Sequence, residues 1–230
     1  MDFKLELKKL GLELDNEKLE KFNKYYEILI AKNEVMNLTA ITEYDEVYIK
    51  HFYDSLTIGK YLIGNENICD VGSGAGFPSI PLAIMYPNIK VTIIDALNKR
   101  INFLNELVKE LDLKNVIALH YRAEEYALEK RSSFDIVCAR AVAALRVLCE
   151  LCMPLVKTNG YFIAMKGSNA IDEVNNSKNA IKLLGGKINK IDEMALPYNM
   201  GDRTIVVIDK ISETNKKYPR IFKQIKERPL

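Results

Sequence analysis

The sequence predicts an α/β protein built on a mostly parallel sheet that is preceded by a helical extension. After Asn65, short apolar runs rich in β-branched residues alternate with amphipathic stretches, which is typical of a parallel sheet covered on both faces. Before Asn65, apolar residues recur at helical spacing. A glycine-rich turn follows the first predicted strand, where nucleotide-binding sheets hold their ligands.

Composition bounds the class of protein. The 230 residues are 48% apolar and 28% charged, which excludes a disordered chain and allows a sizeable core. No apolar run approaches the ~18 residues that cross a bilayer, so we expect a soluble, cytoplasmic protein without a membrane partner. With two histidines and four cysteines, of which only Cys149 and Cys152 are closely spaced, we expect no metal site.

Two helices are predicted in the first third of the chain, over residues 17–33 and 43–62. Thr42 is expected to cap the second helix, with Asp45 at capping-box distance. The polar segment 37–42 between the helices is predicted to be a compact turn.

Beyond residue 65, strands alternate with helices. Strands are predicted at 68–71, 90–94, 116–120, 134–139 and 160–166. Helices are predicted at 79–86, 99–111, 144–156 and 170–184, with a short turn around 123–127. The helix over 144–156 must bend or end at Pro154. Residues 187–194 and 203–210 predict an antiparallel hairpin at the sheet edge.

Charge divides the chain unevenly within one structural domain. Residues 1–66, the helical extension expected to pack on the sheet, hold 9 basic and 13 acidic side chains. The sheet region, 67–213, holds 18 and 17, and the carboxyl-terminal tail, 214–230, holds 6 and 1. A short basic tail can contact a polyanion such as nucleic acid, although a solvated terminus has the same composition.

The strongest chemical signal is the turn Cys-Asp-Val-Gly-Ser-Gly-Ala-Gly-Phe-Pro at residues 69–78. Gly72, Gly74 and Gly76 permit a tight turn and let a ligand approach the backbone. The dinucleotide fingerprint requires glycine where Phe77 stands, and no Walker lysine follows. The large Phe77 and the following proline leave less room for a pyrophosphate, whereas S-adenosylmethionine has none.

Asp95 ends the second predicted strand, 19 residues beyond Gly76. A carboxylate at this place can accept hydrogen bonds from both ribose hydroxyls of a nucleoside. The alternative is a cap for the helix that follows. Together with the glycine turn, Asp95 favours a nucleoside ligand at the carboxyl edge of the sheet.

Short motifs spread over most of the chain jointly match one family pattern. They are Asn37-Leu38-Thr39-Ala40-Ile41, His51-Phe52-Tyr53-Asp54-Ser55-Leu56, the glycine turn with Phe77-Pro78, Ile80-Pro81-Leu82-Ala83, Arg122-Ala123-Glu124-Glu125, Ala139-Arg140-Ala141, Met165-Lys166-Gly167 and Lys216-Lys217-Tyr218-Pro219-Arg220. With these motifs the chain resembles the bacterial small-subunit (16S) ribosomal RNA guanine-N7 methyltransferases, also called glucose-inhibited division protein B.

The resemblance implies a Rossmann-like, class I S-adenosylmethionine-dependent methyltransferase with a seven-stranded, mostly parallel sheet. Its implied partner is 16S ribosomal RNA or the small ribosomal subunit. Ser79 and Ala96 depart from the family, which usually has glycine and serine there. The cofactor contacts expected from the resemblance and the turn are Gly72, Gly74, Gly76, Phe77, Asp95 at the ribose, Ala123 and Glu124 at the adenine, and Arg140 at the reacting end.

Guanine N7 carries a lone pair and no proton, so its methylation requires alignment and a suitable field but no general base. His51 and His120 are therefore expected to be structural. Arg140, which ends an apolar strand, is the predicted catalytic residue and could grip the cofactor's carboxylate or guanine O6. A salt bridge from Arg140 to Asp70 or Glu124 is the alternative.

Basic residues near the strand ends and in the tail could meet RNA phosphates. Tyr218 and Phe222 could stack on bases. The predicted RNA-binding residues are Arg122, Lys166, Arg203, Lys216, Lys217 and Arg220, with Lys223, Lys226 and Arg228 in the same tail.

Several alternatives stay open at this point. Cys149 and Cys152 could serve a cytosine methyltransferase, but their helical spacing beside leucines favours a place in the core. A small-molecule methyltransferase of the same fold, or an RNA-binding module without turnover, would share the glycine turn. A dinucleotide dehydrogenase fits the turn least well.

Overall fold

The computed structural model describes residues 1–140, 143–168 and 170–230, and these residues form a seven-stranded sheet. The strands are β1 (Asn67–Val71), β2 (Lys90–Asp95), β3 (Val116–His120), β4 (Phe134–Arg140), β5 (Val156–Lys166), β6 (Gly186–Ala195) and β7 (Asp202–Lys210). Their order is β3-β2-β1-β4-β5-β7-β6. The first five strands run parallel, and β7 is antiparallel to both β5 and β6. The predicted parallel sheet and antiparallel edge hairpin are confirmed.

Helices cover both faces of the sheet, and the first four of them precede the sheet in the chain. They are α1 (Phe3–Lys9), α2 (Asn16–Met36), α3 (Tyr44–Val47), α4 (Asp54–Leu56), α5 (Ser79–Met85), α6 (Asn98–Glu110), α7 (Ala123–Glu129), α8 (Leu145–Cys152), α9 (Ala170–Leu183) and α10 (Phe222–Glu227). A π-helical turn, Tyr48–Tyr53, joins α3 to α4. None of the helices in the described ranges combines the length and apolarity that crossing a bilayer requires.

Alternate residues of the strands supply two apolar clusters, one on each face. In β4, Ile136 and Cys138 join the cluster that contains α2, α5 and α6, whereas Val137 and Ala139 join the cluster that contains α8 and α9. Every residue of α5 is buried, because α2 packs over it. The amino-terminal helices thus form part of the core, and the division of the chain at residues 66/67 and 213/214 stays a prediction.

Two local predictions were wrong, and one helix was not predicted. The helix expected at 43–62 is interrupted by the π-helical turn, and its amino-terminal cap position is Glu43, so Thr42 is not the cap. Helix α1 was not predicted, although the Asp2 carboxylate caps it by accepting a hydrogen bond from Leu5 N at 3.0 Å. Strand β5 begins four residues before the expected residue 160, because Val156 already pairs with Phe134.

Candidate functional site

A cavity of about 540 Å³ opens at the carboxyl ends of β1, β2, β3 and β4. This volume lies within the range of roughly 300–1,000 Å³ that small-molecule sites occupy. The strand order diverges on either side of β1, and such a switch point is where open α/β sheets bind ligands. The sequence-predicted edge is therefore the edge that carries the cavity.

The glycine turn forms one wall of this cavity and adopts a backbone that side chains rarely allow. Gly72, Gly74 and Gly76 have φ angles of 74°, 63° and 105°. A Cβ atom on Gly74 would meet nothing within 4 Å, so this residue leaves open space. A Cβ on Gly76 would lie 2.7 Å from both the Ile80 side chain and the Tyr25 hydroxyl. Gly74 can thus admit a ligand, whereas Gly76 is required by packing.

Asp95 lies one strand away from the turn and is almost fully buried. Its Oδ2 accepts a hydrogen bond from Gly74 N at 3.3 Å, and its Oδ1 accepts one from Leu97 N at 2.9 Å. Arg100 Nη1 lies 3.3 Å from Oδ2. Because Leu97 is the cap position of α6, the alternative reading of Asp95 as the helix cap is wrong. The carboxylate instead accepts a hydrogen bond from the glycine turn and lines the cavity.

The first residues of α7 form the adjoining wall. Ala123 and Glu124 line the cavity after β3, and Arg122 occupies the cap position before them. Arg122 Nε donates to Glu124 Oε1 at 2.6 Å, and its guanidinium carbon lies 4.9 Å from the centre of the Phe222 ring. The predicted Ala123 and Glu124 are therefore brought to the same cavity as the glycine turn and Asp95.

Arg140 enters the cavity from the end of β4, on the other side of β1 from Asp95. Its Nη1 donates to Asp54 Oδ2 at 3.1 Å, and its Nη2 contacts His51 Nδ1 at 3.2 Å. Its guanidinium lies 4.7 Å from the centre of the Phe77 ring. The alternative salt bridges to Asp70 or Glu124 do not form, since the acidic partner is Asp54. Ala141, which follows in the family motif, lies outside the described residues.

Asp54 was not assigned a role from the sequence, yet it joins two arginines. Its side chain is 4% exposed, and Oδ2 lies 3.1 Å from both Arg140 Nη1 and Arg203 Nε. The other oxygen, Oδ1, is buried without a hydrogen-bond partner. An acid on an otherwise apolar helical stretch was the available sequence signal, because buried carboxylates are rare unless paired.

His51 is a buried wall residue that stays neutral. Its ring stacks on Phe77 with centroids 4.5 Å apart, and its Nε2 lies 2.8 Å from Thr39 Oγ1. Both ring nitrogens have polar partners, since Nδ1 lies 3.2 Å from Arg140 Nη2 and 3.1 Å from the Lys50 carbonyl oxygen. Burial, assisted by the charge of Arg140, lowers the pKa of His51 to about 3. The imidazole is therefore a poor general base at neutral pH.

The lowered pKa of His51 predicts a pH dependence of stability. Between about pH 3 and pH 6.5, His51 binds fewer protons in the folded state than in the unfolded state. The free energy of unfolding therefore falls as the pH falls through this window. In His51→Gln, the slope of the unfolding free energy against pH should be smaller than in the wild type by about 1.4 kcal/mol per pH unit between pH 4 and 5.5. Urea titrations at several pH values measure this slope. His120→Gln, at the exposed second histidine, is the matched control for the removal of an imidazole. Equal slopes in wild type and His51→Gln would contradict the neutral assignment.

Several residues predicted to contact RNA instead form ion pairs within the protein. Lys166 Nζ lies 2.8 Å from both Glu173 Oε2 and the Ala143 carbonyl, with only 9% of its side chain exposed. Arg220 donates from Nε and Nη2 to the fully buried Glu150, at 2.8 and 2.6 Å. These ion pairs, like the pair of Arg203 with Asp54, favour structural roles for Lys166, Arg203 and Arg220.

The tail also follows a path that its charge did not reveal. Tyr218 is buried, so its predicted stacking on bases is wrong. Arg131, which precedes β4, donates to the carbonyls of Thr214 and Tyr218 at 2.6 Å each. Lys216 and Lys217 lie between these two carbonyls, near the start of β4 and so at the edge of the sheet opposite the cavity. Both residues are exposed, and their contact with RNA stays a prediction.

The described cysteines are free, and Cys149 and Cys152 lie fully buried in the core. Burial raises the pKa of both thiols, which suppresses the nucleophilic thiolate. The core interpretation of this pair is confirmed.

Comparison with solved structures defines the fold class. The M. jannaschii TYW2 structure, in complex with AdoMet, superposes with a TM-score of 0.56 over 69% of this chain and 74% of that chain, at 20% identity. A SAM dependent methyltransferase from Aquifex aeolicus gives 0.54 over 72% and 93%, at 17% identity. The chain thus has the Rossmann-like fold of S-adenosylmethionine-dependent methyltransferases, as predicted.

Sequence comparison then defines the family. The family model described as rRNA small subunit methyltransferase G (GidB) matches residues 18–205. The Ribosomal RNA small subunit methyltransferase G of Bacillus cereus (strain B4264) is 51% identical over 222 residues, covering 95% of this chain and 93% of the relative. That of Staphylococcus saprophyticus is 53% identical over 213 residues, covering 91% and 89%. The chain belongs to the rRNA small subunit methyltransferase G family, which confirms the predicted resemblance.

Proposed function

We propose that this protein transfers a methyl group from S-adenosylmethionine to N7 of a guanine in a loop of 16S ribosomal RNA, with the small ribosomal subunit as its partner. The proposal is carried by one observation: in a chain of this family, Asp95 and Arg140 flank an open glycine turn within a single cavity. Membership of the family supports the ribosomal RNA substrate, and the chemistry of the cavity supports the acceptor atom.

The donor set fits S-adenosylmethionine. Asp95 offers acceptor oxygens for ribose hydroxyls, Gly74 leaves room beside the backbone, and Arg140 offers a cation to the carboxylate. Asp95 and Arg140 stand on strands to either side of β1, about 10 Å apart at the backbone. The glycine turn, Phe77, Ala123 and Glu124 would enclose the remainder of the molecule.

An acceptor without a proton matches the groups available. Bound S-adenosylmethionine would supply an electrophilic methyl group to the lone pair of guanine N7, and the electrons of the broken carbon–sulfur bond would stay on sulfur. His51, the nearest titratable ring to Arg140, is neutral and already hydrogen-bonded on both nitrogens. The protein then has to align the purine and exclude water, which a fixed guanidinium and an aromatic wall can do. A base in an RNA loop reaches such a cavity more easily than one stacked in a duplex.

The test uses 16S RNA and small subunits from cells that lack this methylation. Both are incubated with methyl-labelled S-adenosylmethionine, and strand cleavage at N7-methylguanine maps the label. We expect one labelled guanine in a loop. Label at another atom or in a small molecule alone would overturn the proposal, and the comparison of free RNA with subunits identifies the preferred substrate.

Exposed basic residues on the side of the sheet that carries the cavity predict how RNA is held. Lys99 lies in the first turn of α6 and Arg146 in the first turn of α8, both at the carboxyl edge, and Lys223 follows the cavity-lining Phe222 on α10. We define these three residues as the basic rim. Each phosphate contact adds salt sensitivity to RNA binding.

The Lys99→Gln/Arg146→Gln double variant removes two of the three charges of the basic rim. The slope of log RNA affinity against log salt concentration should then be less steep than in the wild type by about 1.4 to 1.8. Lys216→Gln/Lys217→Gln removes the same charge at the opposite edge and should change the slope by less than half as much. Filter binding at several salt concentrations measures both slopes. If Lys216→Gln/Lys217→Gln changed the slope more than Lys99→Gln/Arg146→Gln did, the RNA would instead lie on the tail.

A further inference from the structure

The carboxyl-terminal tail is fastened to the body of the protein at several points. Arg131 binds the carbonyls of Thr214 and Tyr218, and Arg220 binds Glu150 through its backbone N–H as well as its guanidinium. Glu150 is fully buried, so its ion pair with Arg220 is an anchor that water cannot replace. Tyr218 and Ile225 are buried in the cluster that contains α8 and α9.

This fastening delivers one aromatic residue to the cavity. Phe222, two residues beyond the Arg220 anchor, begins α10 and lines the cavity together with Tyr121, Arg122 and Ala123. The Arg122 guanidinium lies 4.9 Å from the Phe222 ring centre and is held in place by Glu124. The neighbouring Ile221 points away, since it is 64% exposed.

We propose that Phe222, held by the anchored tail and stacked on Arg122, is a cofactor-binding residue that forms the outer wall of the nucleoside half of the cavity. This inference rests on the proposed use of S-adenosylmethionine. An aromatic face and a planar guanidinium beside the residues expected at the adenine offer stacking to a purine, which phosphate binding by a basic tail would not require. The tail then belongs to the cofactor site and not only to the RNA surface.

The experiment measures ligand binding to the full chain by calorimetry, without RNA. The ligands are S-adenosylmethionine, S-adenosylhomocysteine and 5′-deoxy-5′-methylthioadenosine, which has the nucleoside but no amino acid. Phe222→Ala should weaken all three by a similar factor of about ten. Phe222→Tyr should stay within twofold of the wild type, and Ile221→Ala is the neighbouring control and should bind normally.

A second variant separates the two ends of the cavity. Arg140→Lys should weaken the two ligands that carry a carboxylate and leave methylthioadenosine unchanged. If Phe222→Ala loses folding cooperativity, Phe222→Leu keeps the apolar volume and should still weaken methylthioadenosine several-fold. Unchanged affinity for methylthioadenosine in a folded Phe222 variant would overturn the inference. Failure of the wild type to bind any of the three ligands would instead overturn the proposed use of the cofactor.

Discussion

Methyl transfer by the Arg140→Ala variant should be at least about 100-fold slower than by the wild type at saturating S-adenosylmethionine and RNA, a loss typical of removing one preorganised donor. The guanidinium is fixed by Asp54, His51 and Phe77, so no reorientation is needed when the ligands enter. Arg140→Lys keeps the charge but loses the planar fork and the stacking, and it should recover only part of the rate. Single-turnover kinetics measure the effect on the transfer itself.

Loss of Arg140 also removes a partner from the buried Asp54, and a control is needed for this second effect. Arg203→Ala takes away the other arginine of Asp54 without touching the cavity walls. Both variants should lower the unfolding free energy, because each leaves the carboxylate with one cation less. Only Arg140→Ala should lose most of the single-turnover rate. An equal loss of rate in both variants would assign Arg140 a purely structural role.

The sequence predicted those site residues whose position follows from the nearest strand. The glycine turn follows β1, and Asp95 and Arg140 end β2 and β4, so all of them lie at the carboxyl ends of parallel strands, which meet at one edge of the sheet. Asp54 could not be placed in this way. It lies after a π-helical turn that breaks the expected helical face, and it meets Arg140 across 86 residues of sequence.

The tail shows a second limit of sequence reasoning. Its basic composition predicted an RNA surface, but composition does not say which charges are neutralised inside the fold. The partner of Arg220 is Glu150, 70 residues away on the buried face of α8. An acid at the end of an apolar helix gives no local indication of an arginine from the tail. Phe222 likewise became a candidate for the cofactor site only when the anchored path of the tail was known.

The largest effect on stability is expected from Gly76→Ala, and Gly74→Ala is its matched control. A methyl group on Gly76 would lie 2.7 Å from the Ile80 side chain and from the Tyr25 hydroxyl, and 3.1 Å from Leu104. Tyr25 cannot easily move away, because it is fully buried and donates a 2.6 Å hydrogen bond to the Ala75 carbonyl. Overpacking and a positive φ together should cost about 3 kcal/mol or more of unfolding free energy, measured by urea titration.

Gly74 also has a positive φ angle, so alanine at this residue strains the backbone as it does at Gly76. The new methyl group, however, would lie in open space. Gly74→Ala should therefore cost only about 1–2 kcal/mol of stability, the ordinary penalty of a left-handed alanine. Because that space belongs to the cavity wall, the methyl group should instead lower the affinity for S-adenosylmethionine, and calorimetry on the folded variant measures this loss. If Gly74→Ala bound the ligand normally, the turn would not be the surface against which the cofactor lies. If Gly76→Ala were as stable as Gly74→Ala, the close packing of Tyr25 behind the turn would not be what requires glycine at residue 76.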